Sequence, residues 1–401
     1  MNQIILHIDV NNAFLSWTAI DLLKKGYKGD IRGIDAVIGG DESKRAGIVL
    51  AKSIGAKKKG IITGEPLYLA RKKCPNLQIF PPNYTLYQKM SKSLFKLLSK
   101  YSPDIEIFSI DECFLDYGKV LKLYGDVMPF AEKIKNEIEN TLGFTVNIGI
   151  GNNKLCAKMA SDFEKPNKIH TLYDFEVESK MWPLPINNLF GIGKKTSVKL
   201  RGLNINTIGD LATASYDKLY PYFKNQTSKM IDMACGRDYS KVNNKPVDSK
   251  GISNCITLEH DLKTKDEIQK TLHVISENLG ITLRKQGRYA CVVVVTLKDC
   301  YFKTYSHQVK LKNGTNITNE IFEVAKKLLD EMWNNEPIRL VGIRLDNLVK
   351  EVNYQMSLFE SFEERNKVSK LDKTVDNLKE KYGTNIISNA YLRDEDIKRK
   401  Y

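Results

Sequence analysis

Three acidic residues stand at points of the sequence where a strand ends or turns. Asp9 closes the apolar stretch IILHID, and Asp111 and Glu112 lie side by side between the apolar segments IEIFSI and CFLDY. Successive side chains of a regular strand point to opposite faces, so the adjacent pair predicts a tight connection between two strands at a sheet edge. If the first strand neighbours these two, three carboxylates converge.

Three convergent carboxylates need a positive partner. Like charges at short range raise one another's pKa unless a cation neutralises them, and hard oxygen ligands of this kind favour Mg²⁺. Two such ions about 4 Å apart can activate a 3′-hydroxyl and stabilise a leaving pyrophosphate. The spacing alone leaves an alternative open, in which Asp111 and Glu112 are ordinary turn residues.

The elements around these acids predict more than one domain. Strands and helices interleave up to about residue 165, as in an α+β sheet domain covered on one face by helices. A helical stretch with punctuating glycines follows, and residues 236–251 are polar and aperiodic, which is typical of a linker. A second, smaller α+β unit comes next. Near the end, residues 368–383 predict an amphipathic helix with one apolar face, for which packing back on the body is the simplest role.

Composition narrows the class of protein. The chain has 401 residues and a formal net charge of +14, which favours several domains and a polyanionic partner such as nucleic acid. We expect no membrane span and no signal peptide. The seven cysteines form no CxxC pair and the five histidines are widely dispersed, which predicts a reducing, cytoplasmic location, structural or surface histidines and no zinc site.

Three motifs together carry a family resemblance. SIDECFLD (109–116) resembles the SIDE motif of the Y-family DNA polymerases, the translesion enzymes, and HIDVNNAFLSW (7–17) resembles the family's first motif. GIGNNKLCAKMASDFEKPNK (149–168) is similar to the family stretch GIxxNKxxAKxAxxxxKP. The motifs occur in the family's order, and the resemblance extends from residue 4 to about residue 359, nearest to the bacterial polymerase IV and UmuC branches.

The resemblance implies an α+β multidomain fold with the right-hand polymerase architecture. The expected parts are a ferredoxin-like palm (1–18 and 84–168), small fingers (19–83), a helical thumb with a helix-hairpin-helix (169–236), a linker (237–250), an α+β little finger (251–350) and a C-terminal tail (351–401).

The resemblance also implies residue roles in a template-directed, low-fidelity DNA polymerase. Asp9, Asp111 and Glu112, with the Val10 carbonyl, are expected to hold two Mg²⁺ ions, and Phe14 corresponds to the steric gate that excludes a 2′-hydroxyl. The implied nucleotide-binding residues are Asn12, Ala13, Phe14, Arg45, Lys57 and Lys165. One departure stands out: many members carry a tyrosine three residues before the fingers Arg or Lys, where this chain has Ile54.

The implied partners are primer-template DNA, a deoxynucleoside triphosphate and the sliding clamp (β subunit), bound by a monomer. The turn GIGKKT resembles the helix-hairpin-helix of the thumb, and two little-finger arginines are further candidates. The candidate DNA contacts are Gly191, Gly193, Lys194, Lys195, Arg339 and Arg344. The peptide QMSLF resembles the clamp-binding motif, with Gln355, Met356, Leu358 and Phe359 as its contacts.

Two other functions compete with this interpretation. A catalytically silent DNA- and clamp-binding accessory protein of the same fold would be expected to lose an acid or the gate, and all are present. A different two-metal palm enzyme, such as a nucleotidyl cyclase, has no use for a helix-hairpin-helix or a clamp peptide.

Overall fold

The computed structural model describes the chain except residues 1–2, 43–46, 246–247, 353–361, 384–385 and 388–401. It separates into two compact units, the first ending at Pro246 and the second beginning at Val247. Within the described ranges no helix combines the length and the apolar character needed to cross a bilayer.

The first unit begins with alternating strands and helices and ends in helices alone. Its first elements are β1 (Ile5–Val10), α1 (Ala13–Lys24), β2 (Ala36–Gly39), β3 (Val49–Lys52), α2 (Ile54–Lys58), α3 (Leu67–Lys73), β4 (Gln78–Phe80) and α4 (Tyr84–Leu98). Next come β5 (Ile105–Ile107), β6 (Glu112–Asp116), α5 (Leu121–Tyr124), α6 (Val127–Leu142), β7 (Val146–Gly151), α7 (Lys154–Ser161) and β8 (Ile169–Leu172). Four helices follow: α8 (Lys194–Arg201), α9 (Ile208–Ala212), α10 (Tyr216–Phe223) and α11 (Thr227–Ala234).

A five-stranded sheet forms the centre of this unit, in the order β5-β6-β1-β7-β8. β1 lies in the middle and runs antiparallel to both β6 and β7. Its side chains alternate, so Leu6 and Ile8 join a large core with residues of α4 and α6, whereas His7 and Asp9 share the opposite face.

The helix α7 packs unusually closely on the sheet because two glycines of β7 make room for it. A Cβ at Gly149 would lie 2.0 Å from the Ala157 carbonyl oxygen, and a Cβ at Gly151 would lie 2.7 Å from the Ala157 backbone nitrogen. The sequence GIG in this strand therefore brings the helix, and with it Lys158, against the face that carries Asp9.

Two smaller substructures complete the first unit. A three-stranded sheet has the order β3-β2-β4. Together with α2 and α3 it forms a small separate core, which includes Val37, Val49 and Leu67. The helices α8 to α11 surround a separate core that also includes residues of α7, such as Leu155 and Met159.

The second unit is an antiparallel sheet backed by helices. Its elements are β9 (Gly251–Leu262), α12 (Lys265–Lys285), β10 (Tyr289–Asp299), β11 (Thr304–Thr315), α13 (Thr318–Met332), β12 (Ile338–Val349) and α14 (Phe362–Tyr382). The strand order is β11-β10-β12-β9, and apolar residues of α12 and α13 pack on one sheet face.

The last helix, α14, lies against the second unit, but not through the apolar face that its sequence predicts. Leu371, Leu378 and Tyr382 are exposed. The contacts are instead ionic: Arg284 of α12, whose side chain is 5% exposed, donates to Asp372 at 2.9 Å and to Asp376 at 2.6 Å. The apolar periodicity predicted the helix correctly. Which side of α14 contacts the sheet unit depends instead on Arg284, which lies 88 residues before Asp372 in the sequence.

Candidate active site

The pairing of β1 with β6 brings the three candidate acids to one end of the central sheet. Asp9 and Glu112 are register partners on the two antiparallel strands. The Val10 backbone N–H donates to the Asp111 carbonyl oxygen at 3.1 Å. Ordinary backbone hydrogen bonds of the sheet therefore bring Asp9 and Asp111 together, although they are far apart in the sequence.

Asp111 and Glu112 occupy the tight connection that their adjacency predicts. Glu112 is the first residue of β6, and its carbonyl oxygen accepts the backbone N–H groups of Phe108 and Ser109 across the hairpin. The Ser109 hydroxyl donates to the Asp111 carboxylate at 2.6 Å, which fixes that side chain at the turn.

Glu112 faces two residues on the side of the sheet covered by α7. The Lys158 ammonium lies 3.0 Å from one carboxylate oxygen, and His7 Nε2 lies 3.5 Å from the other. Burial acts to raise the pKa of Glu112, but His7 and Lys158 outweigh it and bring that pKa to about 2. His7, interpreted from sequence as merely structural, thus contacts a candidate metal ligand, and its Nδ1 lies 2.8 Å from the Ser161 hydroxyl.

Asp9 has a different environment. Burial raises its pKa to about 6, although Lys165 donates directly to its carboxylate. Lys165 also contacts Asp162 at 2.8 Å. Burial alone would depress the pKa of Lys165, but these two carboxylates raise it to about 12.

A buried amide network holds the loop that carries Lys165. Asn147 of β7 accepts from the Asn11 side chain at 3.0 Å and donates to the Glu164 carbonyl at 2.6 Å. The Asn11 side-chain oxygen in turn accepts the Asn167 backbone N–H at 2.9 Å. Both asparagines are buried, so the loop position is fixed by the strands that carry Asp9.

Phe14 lies in the first turn of α1, and its ring stacks on Tyr87 of α4. The ring centroids are 4.4 Å apart and the planes differ by 8°. The Tyr87 hydroxyl is 3.0 Å from the Thr18 hydroxyl one helical turn beyond Phe14. Tyr87 is fully buried, so it forms a fixed support for the Phe14 ring.

These side chains line one cavity of about 450 Å³. Its volume falls in the range of small-molecule sites. The lining residues are Asp9, Val10, Asn11, Asn12, Ala13, Phe14, Leu50, Ala51, Lys52, Ile54, Lys57, Thr63, Asp111, Glu112, Lys165 and Pro166. The structure therefore brings together every predicted metal ligand, the predicted gate and two of the three predicted nucleotide-binding cations.

The acids do not form a ready metal cage in this arrangement. Among the residues that the structure describes, no three His, Cys, Asp or Glu side chains are grouped so that they could hold a metal ion. Lys165 and Lys158 instead pair with the carboxylates of Asp9 and Glu112. The donor chemistry nevertheless fits a divalent cation, since three carboxylates line one cavity and two of them already attract cationic groups.

Another part of the cavity lining, from β3 and α2, carries positive instead of negative charge. Lys57 lines it, as the sequence predicts for a phosphate contact, and Ile54 occupies the position of the missing tyrosine. Lys52 also lines it, and its ammonium donates to the Thr63 hydroxyl at 3.2 Å. Arg45 lies outside the described residues.

The predicted helix-hairpin-helix turn leads into α8. Gly191 has a φ of +85°, a conformation that favours glycine, and Gly193 is the N-terminal capping position of the helix. Ile192 between them is buried, whereas Lys194 and Lys195 open the helix with exposed side chains. The turn therefore presents two cations beside free backbone amides.

The two candidate arginines of the second unit differ in their surroundings. Arg339 stacks over the exposed Phe302 ring with its guanidinium carbon 4.4 Å from the ring centroid. Arg344 forms an ion pair with Asp346 at 2.8 Å. Gln355, Met356, Leu358 and Phe359, the predicted clamp contacts, lie outside the described residues.

Sequence reasoning missed several residues of the site. Tyr87, Lys158 and Lys52 lie on α4, α7 and β3, and each reaches the site only through tertiary packing. The one available signal was Lys158 itself, a lysine in the middle of an otherwise apolar helical segment, CAKMAS.

Comparison with known proteins identifies the family. Residues 8–162 match the impB/mucB/samB family, residues 249–358 match the C-terminal domain of that family, and residues 176–205 match its HHH motif. A solved Y-family DNA polymerase chimera has a TM-score of 0.76 and 25% identity, and the match covers 87% of this chain and all of that one.

Curated relatives agree over the whole length. The chain is 47% identical to DNA polymerase IV of Clostridium acetobutylicum, over 99% of this chain and 100% of the relative. It is 32% identical to DNA polymerase IV 1 of Bacillus subtilis, over 100% and 95% of the two chains. The chain therefore belongs to the impB/mucB/samB family of Y-family DNA polymerases and is a DNA-directed DNA polymerase.

Proposed function

We propose that the chain is a template-directed, low-fidelity polymerase for translesion synthesis, which transfers a nucleotidyl group from a dNTP to a primer 3′-hydroxyl and releases pyrophosphate. One observation carries the proposal: a single cavity is lined by the three acids of the central sheet, by Phe14 and by lysines of two further elements. Phosphoryl transfer needs positioning and charge neutralisation more than a covalent nucleophile, and this cavity offers both.

Asp9, Asp111 and Glu112, with the Val10 carbonyl, would hold the catalytic cations. Membership of the family implies dependence on a divalent metal, and we propose two Mg²⁺ ions. Bound there, the cations would supply charge neutralisation for the triphosphate and a lower pKa for the primer hydroxyl. The protein's own contribution is to fix the carboxylates through Ser109, Lys158 and His7.

Lys165 would contact the triphosphate. In the structure its ammonium pairs with Asp9 and Asp162 at the cavity, so a positive charge is held where a triphosphate oxygen would accept from it. Lys57 and Arg45 would contact phosphates from another side, and the backbone amides of Asn12 and Ala13 would face the same group.

Phe14 would select deoxynucleotides by excluding the 2′-hydroxyl. A ring that could rotate away would exclude little, so the stacking on Tyr87 is the feature that makes the gate effective. The cavity wall from β3 includes the small Ala51. Its short side chain would leave space beside the nascent base pair, so the protein would check the shape of that pair only weakly and accept damaged templates.

Duplex DNA would be held by backbone contacts without sequence readout. We assign these contacts to the turn at Gly191 and Gly193 with Lys194 and Lys195, and to Arg339 and Arg344. Gln355, Met356, Leu358 and Phe359 would attach the protein to the sliding clamp.

Primer extension on undamaged and lesion-containing templates tests the proposal. We expect the pure protein with Mg²⁺ to add the templated nucleotide and to extend past at least one lesion that stops a replicative polymerase. Tight DNA binding without any extension would favour the catalytically silent accessory protein, and cyclic product from free nucleotide would favour a cyclase.

A further inference from the structure

Lys52 is a cation in the active-site cavity that the motif comparison does not assign. It is the last residue of β3 and lines the cavity together with Lys57 and Thr63. The Thr63 hydroxyl accepts a hydrogen bond from its ammonium at 3.2 Å, so the charged end lies at this wall.

The Lys52 ammonium forms no ion pair with any acid that the structure describes. Within the described part of the chain, no carboxylate oxygen lies within 4 Å of the ammonium of Lys52 or of Lys57. Glu65, the acid whose charge acts on Lys52, is engaged with Lys73 at 2.5 Å and with the Ile62 backbone N–H at 2.8 Å. A half-buried lysine without a counter-charge, next to a second one, is an unfavourable arrangement that an anion would relieve.

The acids of the cavity do not supply that anion. Asp9 pairs with Lys165, Glu112 pairs with Lys158, and the Asp111 carboxylate accepts from the Ser109 hydroxyl. Burial, followed by repulsion from Lys57, lowers the pKa of Lys52, as expected for a cationic wall that lacks its counter-ion. Ile54 lies on the same wall and offers no polar group, so the positive charge of that wall comes from the two lysines.

We propose that Lys52 is a triphosphate-binding residue, which contacts the phosphate tail of the incoming nucleotide together with Lys57. The assignment rests on the proposed nucleotide site in this cavity. A triphosphate fits better than a base or sugar, because its oxygens carry several negative charges and each can accept from an ammonium. A phosphate of the template backbone has the same chemistry, and the experiment must separate the two sources.

The test compares Lys52→Met with Lys58→Met. Both changes remove one positive charge and keep a long side chain, but Lys58 is exposed and does not line the cavity. For each protein we would measure kcat and KM for a single templated dNTP, the inhibition constant of inorganic tripolyphosphate, the Kd for primer-template DNA and the thermal midpoint.

We expect Lys52→Met to raise the KM for dNTP and the inhibition constant of tripolyphosphate by about tenfold, with kcat, DNA affinity and thermal midpoint close to wild type. Lys52→Arg should recover most of the loss, and Lys58→Met should match wild type. The parallel change in tripolyphosphate inhibition identifies the phosphate tail, since this probe has neither sugar nor base.

Two results would overturn the assignment. Unchanged KM and tripolyphosphate inhibition in Lys52→Met would remove the phosphate contact, and weakened DNA binding with an unchanged KM would place Lys52 on a template phosphate instead. Absence of extension by the wild-type protein would count against the proposed function itself, whereas active wild type with an indifferent Lys52→Met would count only against Lys52.

Discussion

Phe14 and Tyr87 are 73 positions apart in the sequence, yet their rings lie flat on one another with 4.4 Å between centroids. Tyr87 is fully buried and Phe14 lines the cavity. The exposed face of Phe14 is therefore presented by a rigid support, which is how a single aromatic side chain can act as a steric gate.

Sugar selection should depend on both rings. Phe14→Ala should lower the preference for dNTP over the matching ribonucleotide by roughly 100-fold, because the wall against the 2′-hydroxyl is removed. Tyr87→Leu should lower it less, since Phe14 remains but loses its support. Ratios of kcat/KM for the two nucleotides give the answer.

Tyr87→Phe is the matched control for this pair. It keeps the ring and removes only the hydroxyl that lies 3.0 Å from the Thr18 hydroxyl. Sugar selection should stay near wild type. If Phe14→Ala and wild type discriminate equally, Phe14 is not the gate.

The close packing of α7 should make Gly149 intolerant of any side chain. A Cβ there would meet the Ala157 carbonyl oxygen at 2.0 Å and the Ser161 nitrogen at 2.4 Å, both backbone atoms that cannot turn aside. Gly149→Ala should cost about 3 kcal/mol or more of unfolding free energy. Denaturant unfolding measures the loss.

Gly33→Ala serves as the control because its nearest neighbour would be the Asp30 carbonyl oxygen at 3.6 Å, an ordinary contact. Its stability should stay within about 0.5 kcal/mol of wild type. Equal stabilities of the two variants would show that α7 does not lie as close to β7 as described.

The ionic attachment of α14 should fail when Arg284 is removed. Arg284→Met leaves the half-buried Asp372 and Asp376 without their shared guanidinium, and the loss should approach the roughly 3–5 kcal/mol that breaking a fully buried pair costs. Amide exchange in residues 362–382 should rise strongly, while exchange in β10 and β12 changes little.

Lys285→Met tests whether the effect is specific, because the neighbouring Lys285 pairs with Glu380 at 3.4 Å through exposed side chains. That pair should contribute less than about 1 kcal/mol. Unchanged protection of 362–382 in Arg284→Met would mean that other contacts hold the helix.

The clamp peptide is testable apart from catalysis. Replacing Leu358 and Phe359 by alanine should abolish stimulation of primer extension by the sliding clamp and leave basal extension unchanged, because the apolar anchors of the motif are lost. Ser357→Ala, at a variable position of the motif, should retain stimulation. Full stimulation of the double alanine variant would refute the assignment.

The sequence predicted the centre of the site better than its surroundings. The position of Asp9 at a strand end and of Asp111 and Glu112 at a hairpin followed from apolar stretches and the alternation of strand side chains, and the register of β1 with β6 brings these residues together. Local patterns suffice here because each acid is placed by its own strand.

Other features could not be read from local patterns. The partners Lys165 for Asp9, Tyr87 for Phe14 and Arg284 for α14 are each separated by dozens of residues, and their pairing depends on how elements pack. For α14 the apolar periodicity indicated a face that stays exposed, because Asp372 and Asp376, both half-buried, bind Arg284 instead.

Single-nucleotide incorporation by Asp111→Asn and Glu112→Gln, measured beside their DNA affinity, tests the central claim most directly. If the acids of the cavity hold the catalytic cations, incorporation should fall by roughly 1,000-fold or more in both variants while the Kd for primer-template DNA stays within a few-fold of wild type. Incorporation at the wild-type rate in both variants would contradict the account.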